Sequence, residues 1–250
     1  DPECSLEFYY TAGYPRSAVI EYLMTLLNSN YEQWRSANPD KSYREFPFST
    51  GKMSASGALF DLAKFNDIAK NVIARMSAEE VYEGVCEWAK EYDPDFYARI
   101  SKDPDYTTAI FAIGRGGKKP RKDFASWSEA KDFISYFFDD TFTVNENEYP
   151  ESVSVEDRRA ILRAYAELYK EEADNSAWFD TVKVLSEKFG FASDMKAYKA
   201  DPSAFKGSIT DVSTVLRVAV TGRSNSPDLY TICTLLGEDR VKQRLLSQCD

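Results

Sequence analysis

At 250 residues, with 43% hydrophobic and 14% aromatic content, the chain is long enough to bury a large core and to form two or three compact units. Its 41 acidic residues outnumber 31 basic ones, for a net charge of −10, and histidine is absent. Without imidazole there is no Ser-His-Asp or Cys-His nucleophile pair and no His-ligated metal. The acidic balance also argues against wholesale phosphate binding, although clustering of cations on one face matters more than net charge.

No apolar run approaches the ~18 residues of a membrane span. The first residues, DPECSLEFYY, have neither the basic nor the apolar region of a signal peptide, and with no initiator Met they read as the start of a segment cut from something longer. Cys4, Cys86, Cys233 and Cys249 are widely and irregularly spaced, so neither a zinc site nor a disulfide framework is indicated. Cys86 and Cys233 fall on apolar helix faces and are expected to be buried thiols, consistent with a reducing cytoplasm. Neither a P-loop nor a GxGxxG stretch is present.

In chain order the pattern is helical almost throughout. Pro15 opens a helix with Val19, Leu23, Leu26 and Leu27 as its apolar stripe. Residues 30–57 are broken by Asn38-Pro39, Phe46-Pro47 and Gly51. Leu62, Phe65, Ala69, Val72 and Met76 then follow helical spacing. Capping boxes at Ser77-x-x-Glu80 and Ser126-x-x-Glu129 start two further helices, the first turning Val81, Val85, Trp88 and Ala89 inward, the second Ala130, Phe133, Ile134 and Phe137. The acidic stretch Asp139–Glu151 breaks the period and reads as a connection between helical units. Ser154-x-x-Asp157 caps a helix carrying Ile161, Ala164, Tyr165 and Leu168, and Trp178, Val182, Leu185 and Phe189 form another, closed by Gly190. The expected fold is all-α: two helical bundles preceded by a mixed, mostly helical N-terminal region.

Two segments offer chemistry. Arg115 to Lys122 (RGGKKPRK) places five cations in eight residues on a Gly/Pro-rich loop between helices. Guanidinium groups there can pair with phosphates or stack on unpaired bases, whereas the plain reading is a solvated loop. Leu216–Gly237 reads as helix, polar turn, helix. Val212, Leu216, Ala219 and Val220 form the first helix, ended by Thr221-Gly222; Ser226 as N-cap and Pro227 at the first helical position start the second, which stops at Gly237. Between them Arg223, Ser224 and Asn225 project hydrogen-bonding groups beside a helix start, a place for a polar or anionic ligand. The plain alternative is a helix hairpin.

Lys52-Met53-Ser54-Ala55-Ser56 resembles the Lys-Met-Ser-Lys-Ser loop of class I aminoacyl-tRNA synthetases, which stabilises ATP phosphates. That role is rejected: the loop needs a nucleotide-binding sheet before it, which the 51 residues ahead of Lys52 cannot supply, and Ala55 replaces the second lysine. Ser54 or Ser56 is expected to cap a helix-start loop instead. Of the 16 Tyr, 16 Phe and 4 Trp, most fall at core spacing, and none is singled out as a base stacker.

Four stretches together resemble the C-terminal part of bacterial glutamyl-tRNA synthetase: Gly13-Tyr14-Pro15…Tyr22-Leu23; Lys52-Met53-Ser54-Ala55-Ser56-Gly57-Ala58-Leu59-Phe60-Asp61-Leu62-x-Lys64; Lys119-Pro120-Arg121; and Leu216-Arg217…Thr221-Gly222…Ser226-Pro227-x-Leu229…Leu236-Gly237. They occur in family order over nearly the whole chain. The resemblance implies a stem-contact region at residues 1–68 and two helical anticodon-binding domains at 69–150 and 151–250. It places Arg217, Ser226, Pro227 and Leu229 on the hairpin that holds the first two anticodon bases, with Arg223 in the intervening turn. Arg121, beside Lys119, falls near the third base, where Arg in some members favours the glutamate anticodon. Ser226 stands where Thr is also seen.

The implied partner is glutamate tRNA, with glutamine tRNA left open. The chain is expected to be monomeric and cytoplasmic, with no membrane contact and no cofactor of its own, because ATP and Mg act in the catalytic domain that this sequence lacks. It is therefore expected to be inactive alone in adenylate formation. The rival reading is a stand-alone helical scaffold that binds another protein, and a carboxylate- or lysine-based enzyme has no constellation behind it.

Overall fold

The computed structural model describes residues 2–53, 59–170 and 174–249. Ser54 and Ser56, expected to cap a helix start, lie outside the described residues. Among those described, the chain forms fourteen α-helices and no strand; Ala192 and Ser208 make one isolated parallel bridge. None of these helices is long and apolar enough to cross a membrane. The architecture is all-α, divided into two compact units, Asp1–Phe133 and Ile134–Asp250.

The first unit contains α1 (Leu6–Ala12), α2 (Arg16–Leu27), α3 (Tyr31–Ala37), α4 (Leu62–Arg75), α5 (Ala78–Tyr92), α6 (Pro94–Ile100), α7 (Pro104–Ala112) and α8 (Trp127–Phe133). Helix starts follow cap chemistry. Asp61 accepts from the Lys64 N–H, Ser77 and Glu80 form the expected reciprocal box, and Asp93-Pro94 and Asp103-Pro104 pair a capping carboxylate with a proline at the first helical position. The box expected at Ser126 takes another form. The Glu129 carboxylate accepts from the Ala125 N–H, while the Ser126 hydroxyl pairs with Ser128.

Phe65, Ala69 and Val72 of α4 pack on Ala18 and Tyr22 of α2, giving the core expected from the α4 spacing. The α2 stripe differs from its sequence reading. Leu23 and Leu27 are exposed, and Glu21 is buried in their stead. The reason is electrostatic: Glu21 Oε1 accepts from both Arg35 and Arg75 at 2.9 Å, so the inward face of α2 carries a paired charge.

The second unit contains α9 (Val155–Leu168), α10 (Asn175–Lys188), α11 (Met195–Ala200), α12 (Ile209–Thr221), α13 (Leu229–Leu236) and α14 (Glu238–Ser247). α12 lies at its centre, against α9, α10 and α14. Val212, Val215, Leu216 and Ala219 are fully buried there with Ile161, Leu162, Val182, Leu185, Val241 and Leu245. Leu168, expected inward, is exposed, because α9 ends beside it and the chain turns away at Tyr169. Cys86 and Cys233 are buried as expected, and burial pushes the Cys233 thiol up to about 12.

The acidic stretch expected to connect two units lies within the second. Two short 3-10 turns, Ser135–Phe137 and Glu146–Glu148, are tied to α14 through Arg240 on the Phe137 carbonyl and to the turn after α12 through Ser224 on Glu148. Arg244 is the nail: its guanidinium donates to the carbonyls of Tyr136 (2.7 Å) and Val220 (2.8 Å), pairs with Asp139 at 2.9 Å and lies 3.9 Å over the Phe142 ring. Nothing in the spacing of apolar residues encodes that contact.

Candidate nucleic-acid interface

In the second unit α12 ends as its sequence dictates. Gly222 takes φ 74°, and its N–H returns to the Val218 carbonyl. A side chain here is doubly excluded, because an ideal Cβ would lie 2.0 Å from the Thr143 carbonyl oxygen. The chain then crosses Arg223, Ser224 and Asn225 to reach α13.

The expected start of that helix is corrected. Ser226 and Pro227 lie before it, and Asp228 is the N-cap. One Asp228 oxygen accepts from the Thr231 N–H at 2.9 Å and from its hydroxyl at 2.7 Å; the other accepts from Asn175 at 3.1 Å. The Ser226 hydroxyl is unavailable as a cap because it is held by Arg217. That guanidinium reaches forward from α12 and donates to the Ser226 hydroxyl and to the Pro227 carbonyl at 2.8 Å. A carboxylate is also the better acceptor at a helix N-terminus.

Five candidate residues thus come together at one corner, in three different roles. Arg217 clamps the turn. Pro227 and Leu229 are buried and form its floor. Arg223 is half-buried, donating to the Ser135 hydroxyl at 3.1 Å with its guanidinium 5.5 Å from the Tyr136 ring. Ser224 gives both its N–H, at 2.8 Å, and its hydroxyl to Glu148. These hydrogen bonds and Arg223 hold the Glu148 carboxyl below its usual range. Asn225 is exposed, and its amide has no partner among the described residues, so it is the group this corner offers outward.

Sequence reasoning missed Glu148 and Arg244 because both act over long sequence separations. Asp228 was legible: it is a cap residue three positions before Thr231, but Ser-Pro gave the competing signal.

The basic loop of the first unit has a different construction. It runs between α7 and α8, and its neck is closed by the Arg121 N–H on the Gly114 carbonyl. Arg115 roots it: Nε donates to the Phe111 carbonyl and Nη1 to the Ile73 carbonyl, each at 2.6 Å, so this arginine satisfies the carbonyl ends of α7 and α4. Burial pulls its pKa down, against the opposing pull of Asp123. The five cations are therefore not equivalent. Arg121 pairs with Asp123 at 2.8 Å and Lys122 lies 3.9 Å from Asp67. Lys118 and Lys119 are exposed, with no partner among the described residues.

One helical unit thus carries a clamped polar turn, and the other a rooted loop presenting lysines with no partner among the described residues. The model of the anticodon binding domain matches residues 119–248, more than half of the sequence and spanning all seven candidate residues. The chain belongs to that family.

It is 46% identical over 245 residues to the glutamate–tRNA ligase of Acetivibrio thermocellus and 42% identical over 248 residues to that of Clostridium perfringens strain 13. In both cases 98% of this chain is covered, but only 45% of the relative, so the resemblance to bacterial glutamyl-tRNA synthetase is borne out over a chain spanning less than half the relatives' length. Among solved structures, a glutamate tRNA ligase from Elizabethkingia meningosepticum, in complex with its amino acid, shares the fold. The TM-score is 0.63 at 15% identity, covering 96% of this chain and 42% of that one.

Proposed function

We propose that this chain is the tRNA-binding part of a glutamate–tRNA ligase. It grips the anticodon and the inner side of glutamate tRNA while a catalytic domain outside this sequence attaches glutamate, using ATP and Mg. The observation that carries this reading is the match over residues 119–248, which takes in Lys119–Lys122 of the basic loop and the whole Arg217–Leu229 corner. Residues 1–68 serve as the stem-contact region, with 69–150 and 151–250 as the two anticodon-binding parts.

Residue roles follow from the contacts. Asn225 faces the bases, on a turn that Arg217, Arg223, Ser226, Pro227 and Leu229 hold in shape. Lys119 meets the RNA backbone, and Arg121, held by Asp123, sits at the third-base position, where glutamate and glutamine anticodons differ. The protein works as a cytoplasmic monomer. A protein-binding scaffold is disfavoured by the family match.

Titration with glutamate tRNA over a salt series is the test. Affinity that falls steeply with salt, as cations displace counterions from phosphate, supports the reading. Salt-insensitive binding, or equal binding of a tRNA with an altered anticodon, overturns it. ATP–pyrophosphate exchange by the pure chain would overturn the assignment of chemistry to another domain.

A further inference from the structure

A recess of the first unit has chemistry opposite to an RNA surface. A cavity of about 170 Å³ lies between α1, α5 and the start of α8. Aromatic rings dominate its lining: Tyr10 from α1, Trp88 and Tyr92 from α5, and Trp127 from α8. Two carboxylates, Glu87 and Glu91, complete it, and no lysine or arginine lines it among the described residues.

The rings are held in place by named contacts. The Trp88 indole N–H donates to the Thr11 carbonyl at 3.0 Å, and Trp88 stacks on Tyr92 one helical turn away, with centroids 6.2 Å apart and planes 21° off parallel. The backbone N–H of Trp127 donates to the Gly13 carbonyl at 2.8 Å. Gly84 lets Trp127 press against α5, since a Cβ there would come within 2.6 Å of the indole. Burial holds Trp127 rigid at 8% exposure, while Tyr10 and Tyr92 are open to solvent at 63% and 38%. The result is a fixed aromatic floor with two tyrosines at the rim.

We propose that this recess binds a small organic cation, the ammonium or guanidinium head of an amine or of a basic side chain. The negative faces of the rings attract positive charge, and Glu87 and Glu91 add direct Coulombic attraction at the mouth. The local field agrees: the Tyr92 phenol is held above its usual range by desolvation first, then by Glu91, with Glu7 and Tyr10 contributing. An unpaired base could stack on such rings, but its phosphates would meet only carboxylates here. The charge pattern therefore selects cations, and none of the seven candidate tRNA-contact residues lines this recess.

The experiment is an NMR titration of the indole N–H signals, using tetramethylammonium, putrescine and N-acetyl-arginine amide as cation probes and adenosine as the neutral stacking probe. Saturable shifts of the Trp88 signal with a cation, absent with adenosine, are expected. A preference for the arginine amide assigns the source as a protein side chain; a preference for the free amines assigns it as a metabolite. Tyr92→Leu and the double variant Glu87→Gln/Glu91→Gln should each weaken cation binding by roughly three- to tenfold. These positions are exposed, so thermal melts should be unchanged, and tRNA affinity should stay within about twofold.

No saturable shift up to roughly 50 mM probe, a very weak limit, overturns the proposal. So does binding that ignores both variants, or binding by adenosine in place of the cations. Because tRNA binding is read separately, failure here leaves the anticodon reading standing, and the converse also holds.

Discussion

The basic loop at residues 115–122 and the corner at residues 217–229 both read in sequence as clusters of RNA-seeking groups, yet the structure uses their charges differently. In the corner, Arg217 and Arg223 are directed inward, onto backbone carbonyls, a serine hydroxyl and the neighbourhood of a tyrosine ring. In the loop, Arg115 is the structural cation, and Lys118 and Lys119 stand in solvent without partners among the described residues. A cation count therefore says little about phosphate binding. What matters is how many donors remain after the fold has satisfied its own carbonyls.

The sharpest way to break this comparison is to remove the cation that holds the corner's supports. Arg244→Met keeps bulk but strips the donors from the Tyr136 and Val220 carbonyls and releases Asp139. We expect a loss of about 3 kcal/mol in urea unfolding. An unfolding midpoint like that of the parent chain would mean that the guanidinium is not what anchors this region. Gly222→Ala comes next. The left-handed backbone and the clash with the Thr143 carbonyl should together cost about 2 kcal/mol, with a lowered melting temperature as the readout.

Smaller effects separate the two basic segments directly. Arg217→Ala should weaken tRNA binding by about 1–2 kcal/mol while leaving the salt dependence unchanged, because this arginine acts through the turn it holds. Lys119→Ala should lower affinity by less than about 1 kcal/mol and reduce the slope of log K against log salt by about 0.7–0.9, the signature of one lost phosphate contact. If Arg217→Ala changes the slope and Lys119→Ala does not, the two assignments are reversed.

Sequence reading recovered eight of the fourteen helices, those where cap residues and apolar spacing give local signals. The Ser77 box, the Ser154 cap, Gly222 and Gly237 fall where cap chemistry places them. It failed where a distant partner overrides local preference. Leu23 yields the inward face of α2 to Glu21 because Arg35 and Arg75 arrive from other helices, and Ser226 gives up its cap because Arg217 has taken its hydroxyl. The candidate site was legible as a location but not as a set of roles, since burial of Pro227 and Leu229 and the closure of Ser224 by Glu148 depend on tertiary contacts.

The least of the expected effects concerns that closure. Glu148 accepts from the Ser224 hydroxyl and N–H beside Arg223, and its carboxyl is held below the usual range. A carboxyl depressed in the folded state adds stability at pH values above its ordinary titration, and that stability disappears as pH falls through the folded value. The parent chain should therefore lose a small increment of second-unit stability as pH drops below the ordinary carboxylate range. Glu148→Gln should lack that increment at neutral pH and should converge with the parent at the acid end. Glu148 lies at the surface, so added salt should shrink the difference further. Urea unfolding of both chains at several pH values measures it. A constant offset between them at every pH would show that Glu148 acts through shape and not through charge.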